Sequence, residues 1–345
     1  MRYVFSLCLC TAAVSAYGGI TIDGTTITFD DASAQSTAAS GGGGGSGPAD
    51  HGGTGSVVNG TSSFVGGGDG NQVTDAYGTI AGGHNNNAGD NNGTTADKPY
   101  TTVSGGYDNT ASETAATIAG GMVNTASGVG STVSGGTFND ANGAYAAVAG
   151  GTSSVASADY SFAAGRRAKA THAGAYVWGD GTNDDVASST ADEFTARAAG
   201  GVRFFTNTAL TSGAVLTAGS STWAGVSSKA AKENYEALDA EAILRTLATL
   251  PIERWNYTHQ DDSIKHIGPY AEDFWQAFGL DGAYSGRITT QDLDGVALAA
   301  IQGLNARLEE KETEISQLRQ LTEALETRLE QLERHLSNEI NPTQN

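Results

Sequence analysis

The sequence predicts a mainly β protein: a parallel solenoid of short repeats, then a small region of mixed helix and strand, then a coiled coil. Three observations carry that reading. A Gly-Gly marker returns about every fifteen residues between Phe64 and Thr171, the composition becomes ordinary and globular after Ser227, and Leu or Ile recur in heptads from Ile301 to Leu336.

Composition bounds the alternatives. The 345 residues leave room for two or three domains, and 48 Gly against 5 Pro, without a Gly-X-Y period, assign the glycine to turns rather than collagen. A hydrophobic share of 39% with only 16% charged residues argues against wholesale disorder. The formal net charge is -20, and between Tyr17 and Tyr160 twelve acids face a single base, Lys98. Such a surface repels phosphate backbones, so no nucleic-acid partner is expected. The acidity keeps a repetitive β structure soluble; divalent cations are the competing explanation.

In chain order, residues 1–16 read as a signal peptide, with Arg2, an apolar run from Tyr3 to Val14, and the small-residue site Val14-Ser15-Ala16. Both cysteines, Cys8 and Cys10, fall inside it, so the exported chain is expected to carry no disulfide. That run is too short to span a bilayer, and no later segment offers 18 consecutive apolar residues, so no membrane span is expected. Residues 17–60 read as a cap and linker: Ile20 to Phe29 alternates like a hairpin, and Gly41 to Gly45 is a flexible run.

Residues 61–172 are the repeats. The markers Phe64-Val65-Gly66-Gly67, Ile80-Ala81-Gly82-Gly83, Val103, Ile118, Val133, Val148 and Phe162 are spaced 16, 23, 15, 15, 15 and 14 residues apart. The long interval carries an insertion rich in Asn, Gly and Asp around Asn85 to Lys98. A fixed short period means a solenoid. Two strands per coil, turned by Gly or Asn in left-handed conformations, would put a Val/Ile column inward with Ala beside it. So thin a core relies on stacking between coils. The pattern resembles the heads of trimeric autotransporter adhesins, the YadA-like class, and that resemblance implies a left-handed parallel β-roll assembled as a trimer.

Other readings of the repeats are weaker. Gly66 to Asn71 looks like a calcium-binding nonapeptide repeat, but its Asp does not return at period nine. An ice-binding face needs two columns of Thr, and Thr79, Thr102, Thr117 and Thr132 make one, which fails at Ala147 and Ser161. Three sequons, at Asn59, Asn92 and Asn256, offer glycan acceptors if the host glycosylates exported proteins.

Residues 173–220 carry larger side chains and read as a β-rich neck with a widened core. Arg166, Arg167 and Lys169 just before it are expected to be structural.

The chemistry-bearing stretch is Ser227 to Asn234. A lysine whose pKa is lowered by desolvation can take the proton of a serine and make it a nucleophile. On one continuous helix, Ser227 and Lys232 would point about 140° apart. Ser227 is therefore expected on an incoming loop, with Lys232 on the first turn of a helix running through Tyr235, Leu238, Ile243, Leu244 and Leu247. A cap and a solvated charge is the plainer reading of such a pair.

The order Ser-x-x-x-x-Lys-Glu-Asn, Leu247 to Pro251, Trp255-Asn256-Tyr257, His266-Ile267-Gly268-Pro269, Ala271 to Phe274 and Asp294 to Gln302 resembles one family. It is the self-cleaving intramolecular chaperone domain at the C-terminus of phage endosialidases and tail fibres, here at residues 221–304. The resemblance implies a domain that helps a trimeric β-rich fibre to fold and then cuts the bond before the serine, Val226-Ser227. It carries Ser227 and Lys232 over as the catalytic pair; His266, inside the His-Ile-Gly-Pro landmark, reads equally as an assisting residue or as a packing one. One departure is Ser228, where the family usually has Asp.

Residues 305–338 continue the heptad, with tail 339–345 after it. Positions a are Ile301, Leu308, Ile315, Thr322, Leu329 and Leu336, and positions d are Leu304, Lys311, Leu318, Leu325 and Leu332. Nine of these eleven are Leu or Ile, and Arg307 to Glu312, Glu314 to Arg319 and Arg328 to Glu333 are opposite-charge pairs in a parallel, in-register coil. Heptads alone leave dimer and trimer open; the resemblance implies the homotrimer.

The expected function is an exported, fibre-like homotrimer whose chaperone end aligns the chains and is at most a single-turnover self-cleaving peptidase. The alternative is a non-cleaving adhesin for a carbohydrate or cell surface, with a permanent trimerisation foot. No cofactor or metal is expected, since His51, His84, His172, His259, His266 and His335 are dispersed without metal-ligand spacing.

Overall fold

The computed structural model describes residues 54–280 and 284–340 and, before residue 54, the backbone of five short strands. Most of the expected signal peptide and the Gly41 to Gly45 run lie outside the described residues. Strands Ile20–Asp23 and Thr26–Phe29 pair as the expected hairpin, flanked by Val14–Ala16 and Ala34–Gln35. The chain divides into two compact units between Val226 and Ser227.

In the first unit each coil gives one short strand to each of two parallel sheets. The ten-stranded sheet runs from Ala49–Asp50 to Phe194–Arg197, and the nine-stranded sheet from Val57–Val58 to Val186–Ala187. The inward column of the first is Val65, Ile80, Val103, Ile118, Val133, Val148, Ala163 and Val177, all fully buried. Facing it, Val73, Ala88, Ala111, Ala126, Ala141, Ala156 and Ala170 are also fully buried. A third buried column, Asn71, Asn86, Asn109, Asn124 and Asn139, serves the backbone. Asn109 donates from Nδ2 to the Gly121 carbonyl at 3.0 Å and accepts at Oδ1 from the Asn124 amide at 3.0 Å, linking one coil to the next. Burying a polar side chain is tolerable when its groups are paired this way. From Gly83 to Gly151 the second glycine of the marker is needed because the backbone of the next coil passes close by: a Cβ on Gly106 would collide with the Gly121 carbonyl.

Three expectations change. Phe64 and Phe162 are not in the inward column, because Val65 pairs with Ile80 and Ala163 with Val148. The phenylalanines fall outward, beside Thr79 and Ala147, since the inward column holds nothing larger than isoleucine. The outward Thr column accordingly runs through Ala147 to Phe162, and Ser161 is buried instead.

The left-handed turn positions are not reserved for Gly and Asn. Tyr77, Tyr100, Tyr145 and Tyr160 adopt φ of 59°, 69°, 57° and 57°. That conformation costs roughly 1–2 kcal/mol per residue, and it is offset by hydrogen bonds between coils and by stacking. Tyr100 donates its amide to the Ala76 carbonyl at 3.1 Å, and its ring lies 5.1 Å from that of Tyr77.

The coils also continue past residue 172, where the neck was expected. Strands Tyr176–Gly179 and Phe194–Arg197 extend the first sheet, and the core there is still Val177 and Ala170, not a wider one. The large side chains lie outside, with Tyr176 stacked 4.5 Å from Phe162 and 5.0 Å from Phe194. Arg166 donates to the Gly181 carbonyl, Arg167 pairs with Asp185 at 2.8 Å, and Lys169 donates to the Ser153 carbonyl. Asp180 is held well below the usual carboxylate range, chiefly by the Ala199 and Thr182 amides, with Arg197 adding to them.

After the coils, Gly201–Phe205, Gly213–Thr217 and Ala224–Gly225 form an antiparallel sheet. No residue from 189 to 249 is buried, although the stretch holds Phe194, Phe204, Leu216 and Trp223. These four side chains find no core within one chain.

The second unit begins with a 3-10 turn, Lys229–Ala231. The helix expected from Lys232 onward starts only at Ala240: α1 spans Ala240–Thr249, with Asp239 accepting from the Ala242 amide at 2.9 Å as N-cap. Asn234, at φ 56°, breaks the helical path between. Strands Glu253–Trp255 and His266–Gly268 pair antiparallel. Helix α2, Ala271–Phe278, ends at Gly279 in the left-handed conformation. Helix α3, Thr290–Ile340, runs 51 residues.

Leu250, Phe274 and Val296 centre a small core with Ile243, Leu247 and Ile288 around them. Helix α1 crosses α3 where Gly303 lies against the Ala240 carbonyl, and a Cβ there would collide with that oxygen. Gly303→Ala should therefore destabilise the crossing by about 1–3 kcal/mol through overpacking, and so lower the melting temperature of the full chain's helical signal. An unchanged melting temperature would show that the crossing yields freely.

Candidate active site

Ser227 lies just ahead of Ser228, the extended residue that leads into the 3-10 turn, and Lys232 stands at the far end of the turn, with φ -126° and ψ 152°. The turn reverses the chain, so that Lys232 Nζ donates to Ser227 Oγ at 2.9 Å. The five-residue spacing that keeps the two apart on an α-helix thus brings them together across this turn. Both side chains are exposed in the single chain.

Two neighbours hold the turn. Ser228 is its N-cap and accepts from the Ala230 amide at 3.3 Å, a position that an aspartate carboxylate would serve as well. Tyr235 donates its hydroxyl to the carbonyls of Lys229 at 2.6 Å and Lys232 at 2.9 Å, while the Lys229 ammonium lies 5.5 Å from its ring centre. Sequence reasoning counted Tyr235 only as a helix position. Its role depends on a turn geometry that no spacing rule announces.

His266 is engaged elsewhere. Its Nε2 lies 2.9 Å from Gln260 Oε1, and its ring packs 5.0 Å from Trp255 and 5.5 Å from Tyr257. The structure brings Ser227 and Lys232 together, and gives His266 an aromatic setting on the hairpin.

The insertion after Asp90 carries the other concentration of chemistry. Asp75, which is buried, accepts from the amides of Asp90 at 3.0 Å and Lys98 at 3.3 Å, so one carboxylate closes both ends of the inserted loop. Burial pushes the Asp75 carboxyl up, against the pull of those two amides. Asn92 donates to Asp90 at 2.7 Å and to Asp97 at 2.9 Å, and the Thr94 hydroxyl and this amide hold Asp97 low. Oxygens of Asp75, Asp90 and Asp97 lie within 4.8 Å of one another, the one such acidic group among the described residues. Sequence could have flagged part of it, since Asp75 and Asp90 are fifteen residues apart, one coil. Each carboxylate already accepts hydrogen bonds from the loop or its ends.

Among the described residues no helix is long and apolar enough to cross a membrane. No curated protein matches the chain. From the nucleophile candidate to just past α2, residues 227–281 match the family described as chaperone of endosialidase.

Proposed function

We propose that the chain is an exported homotrimer of the tail-fibre or endosialidase type, in which the C-terminal unit aligns three copies while their coils fold. The observation that carries this reading is the apolar row along α3. Ile301, Leu304, Leu308, Ile315, Leu318, Leu325, Leu329, Leu332 and Leu336 are 47–61% exposed, and α1 packs against a different side, at Val296, Ala299, Ala300 and Gly303. A stripe of that length at heptad spacing asks for other helices. The uncovered sheet at 201–225 adds a second surface that neighbouring copies would bury.

In this reading Ser227 then cuts the chain once. Neutral Lys232 takes the hydroxyl proton as Oγ attacks the Val226 carbonyl carbon, and the proton passes to the Ser227 amine as the peptide C–N bond breaks. The ester joining Val226 to Oγ takes up one water, which leaves a Val226 carboxylate and restores the hydroxyl. Light scattering on the full chain, with mass spectrometry of its products, tests assembly and cleavage together. A monomer would sink the first and an intact chain the second.

A second reading favours an adhesin whose foot is never shed. The specific observation is the loop 91–97, outward-facing and internally hydrogen-bonded, as a binding tip for a carbohydrate or cell surface would be. If so, binding on a glycan array should vanish when 91–98 is deleted and the coils are rejoined. Equal binding by the trimmed chain would rule that tip out.

A further inference from the structure

The geometry points to Tyr235 as a positioning residue for the Ser227 and Lys232 pair, an inference that rests on the cleavage reading above. Lys232 reaches Ser227 only because its backbone is turned out of the 3-10 turn into an extended conformation. That turn is short, has no buried residue and is closed by two backbone hydrogen bonds, Ala231 to Ser228 at 3.0 Å and Lys232 to Lys229 at 3.2 Å. On its own it would fray, as isolated turns do. The Tyr235 hydroxyl is a single atom bonded to the carbonyls at both its ends, Lys229 and Lys232. The Asn234 backbone at positive φ aims the ring back over the turn, and the Lys229 ammonium above the ring adds a cation–π contact. Neither bond touches Nζ or Oγ. Tyr235 therefore sets where the base stands and takes no part in proton transfer.

The test compares Tyr235→Phe with the wild type as full chains. Phenylalanine keeps the ring under Lys229 and removes both hydroxyl bonds. The cleavage rate should fall about tenfold at every pH, with the midpoint of the pH profile, the trimer mass and the melting temperature unchanged. A shifted midpoint would mean that the hydroxyl joins the proton transfer, and a rate that falls only together with trimer yield would mean a structural role. Either result overturns the inference, as does an unchanged rate. Amide exchange in the uncut Ser227→Ala chain gives an independent reading: adding Tyr235→Phe should speed exchange at Ala231 and Lys232 about tenfold, and equal exchange overturns the staple. A wild-type chain that never cuts sinks the cleavage reading and the positioning role with it, a result distinct from a cutting wild type with an equally active Tyr235→Phe.

Discussion

Ending the chain at residue 304 should abolish the trimer and leave most of the β structure misassembled. The deletion removes seven of the nine exposed Leu and Ile positions, from Leu308 to Leu336. At about 1.5–3 kcal/mol for each large apolar side chain taken from water, their mutual burial is worth on the order of 10 kcal/mol per chain. The coils offer no substitute for this alignment. Their inward columns repeat Val, Ile and Ala so closely that a slip by one coil still buries similar groups. Light scattering and circular dichroism of the shortened chain, refolded beside the full one, measure the effect. Equal yields of native trimer would refute the chaperone reading.

Ser227→Ala and Lys232→Met should each abolish cutting, with rates down about a thousandfold or more. The wild type should separate at the Val226-Ser227 bond, releasing residues 227–345 as one fragment. In the single chain both side chains face solvent, and no residue from 189 to 249 is buried. In the trimer proposed above, exclusion of water at this site would fall to the neighbouring copies. Cutting should follow assembly, so the chain ending at 304 should also stay intact. A shortened monomer that cuts as fast as the trimer would break that link, and a Ser227→Ala chain that still cuts would remove the serine from the reaction.

The solenoid was legible because its period is a property of the sequence itself. One Val or Ile every fifteen residues, followed by a glycine pair, leaves few ways to fold. The large side chains near the marker positions were misjudged. Phe64 and Phe162 are more apolar than the residues beside them, yet a core built for valine and isoleucine excludes a phenyl ring, and steric fit outweighed hydrophobicity. Tyr176, Trp178 and Phe194 signalled a wider core for the same reason and lie outside it.

At the candidate site the pair Ser227 and Lys232 was legible through the order of landmarks around it. The geometry that joins them was not. Tyr235 and Leu238 keep helical spacing, but Asn234 at positive φ and the Tyr235 hydroxyl capture the backbone before a helix can form. A hydroxyl that bonds to main-chain carbonyls leaves no mark on a hydrophobic pattern.

The inserted loop leaves the ladder on either side of it untouched: Ile80 still pairs with Val103 and Ala88 with Ala111 across the 23-residue interval. Length at that corner is thus decoupled from the stacking, and extra residues there carry only the slow logarithmic penalty of closing a longer loop. The corner is a natural graft point, where a foreign peptide can be spliced in at one place per chain while the coils above and below keep their partners.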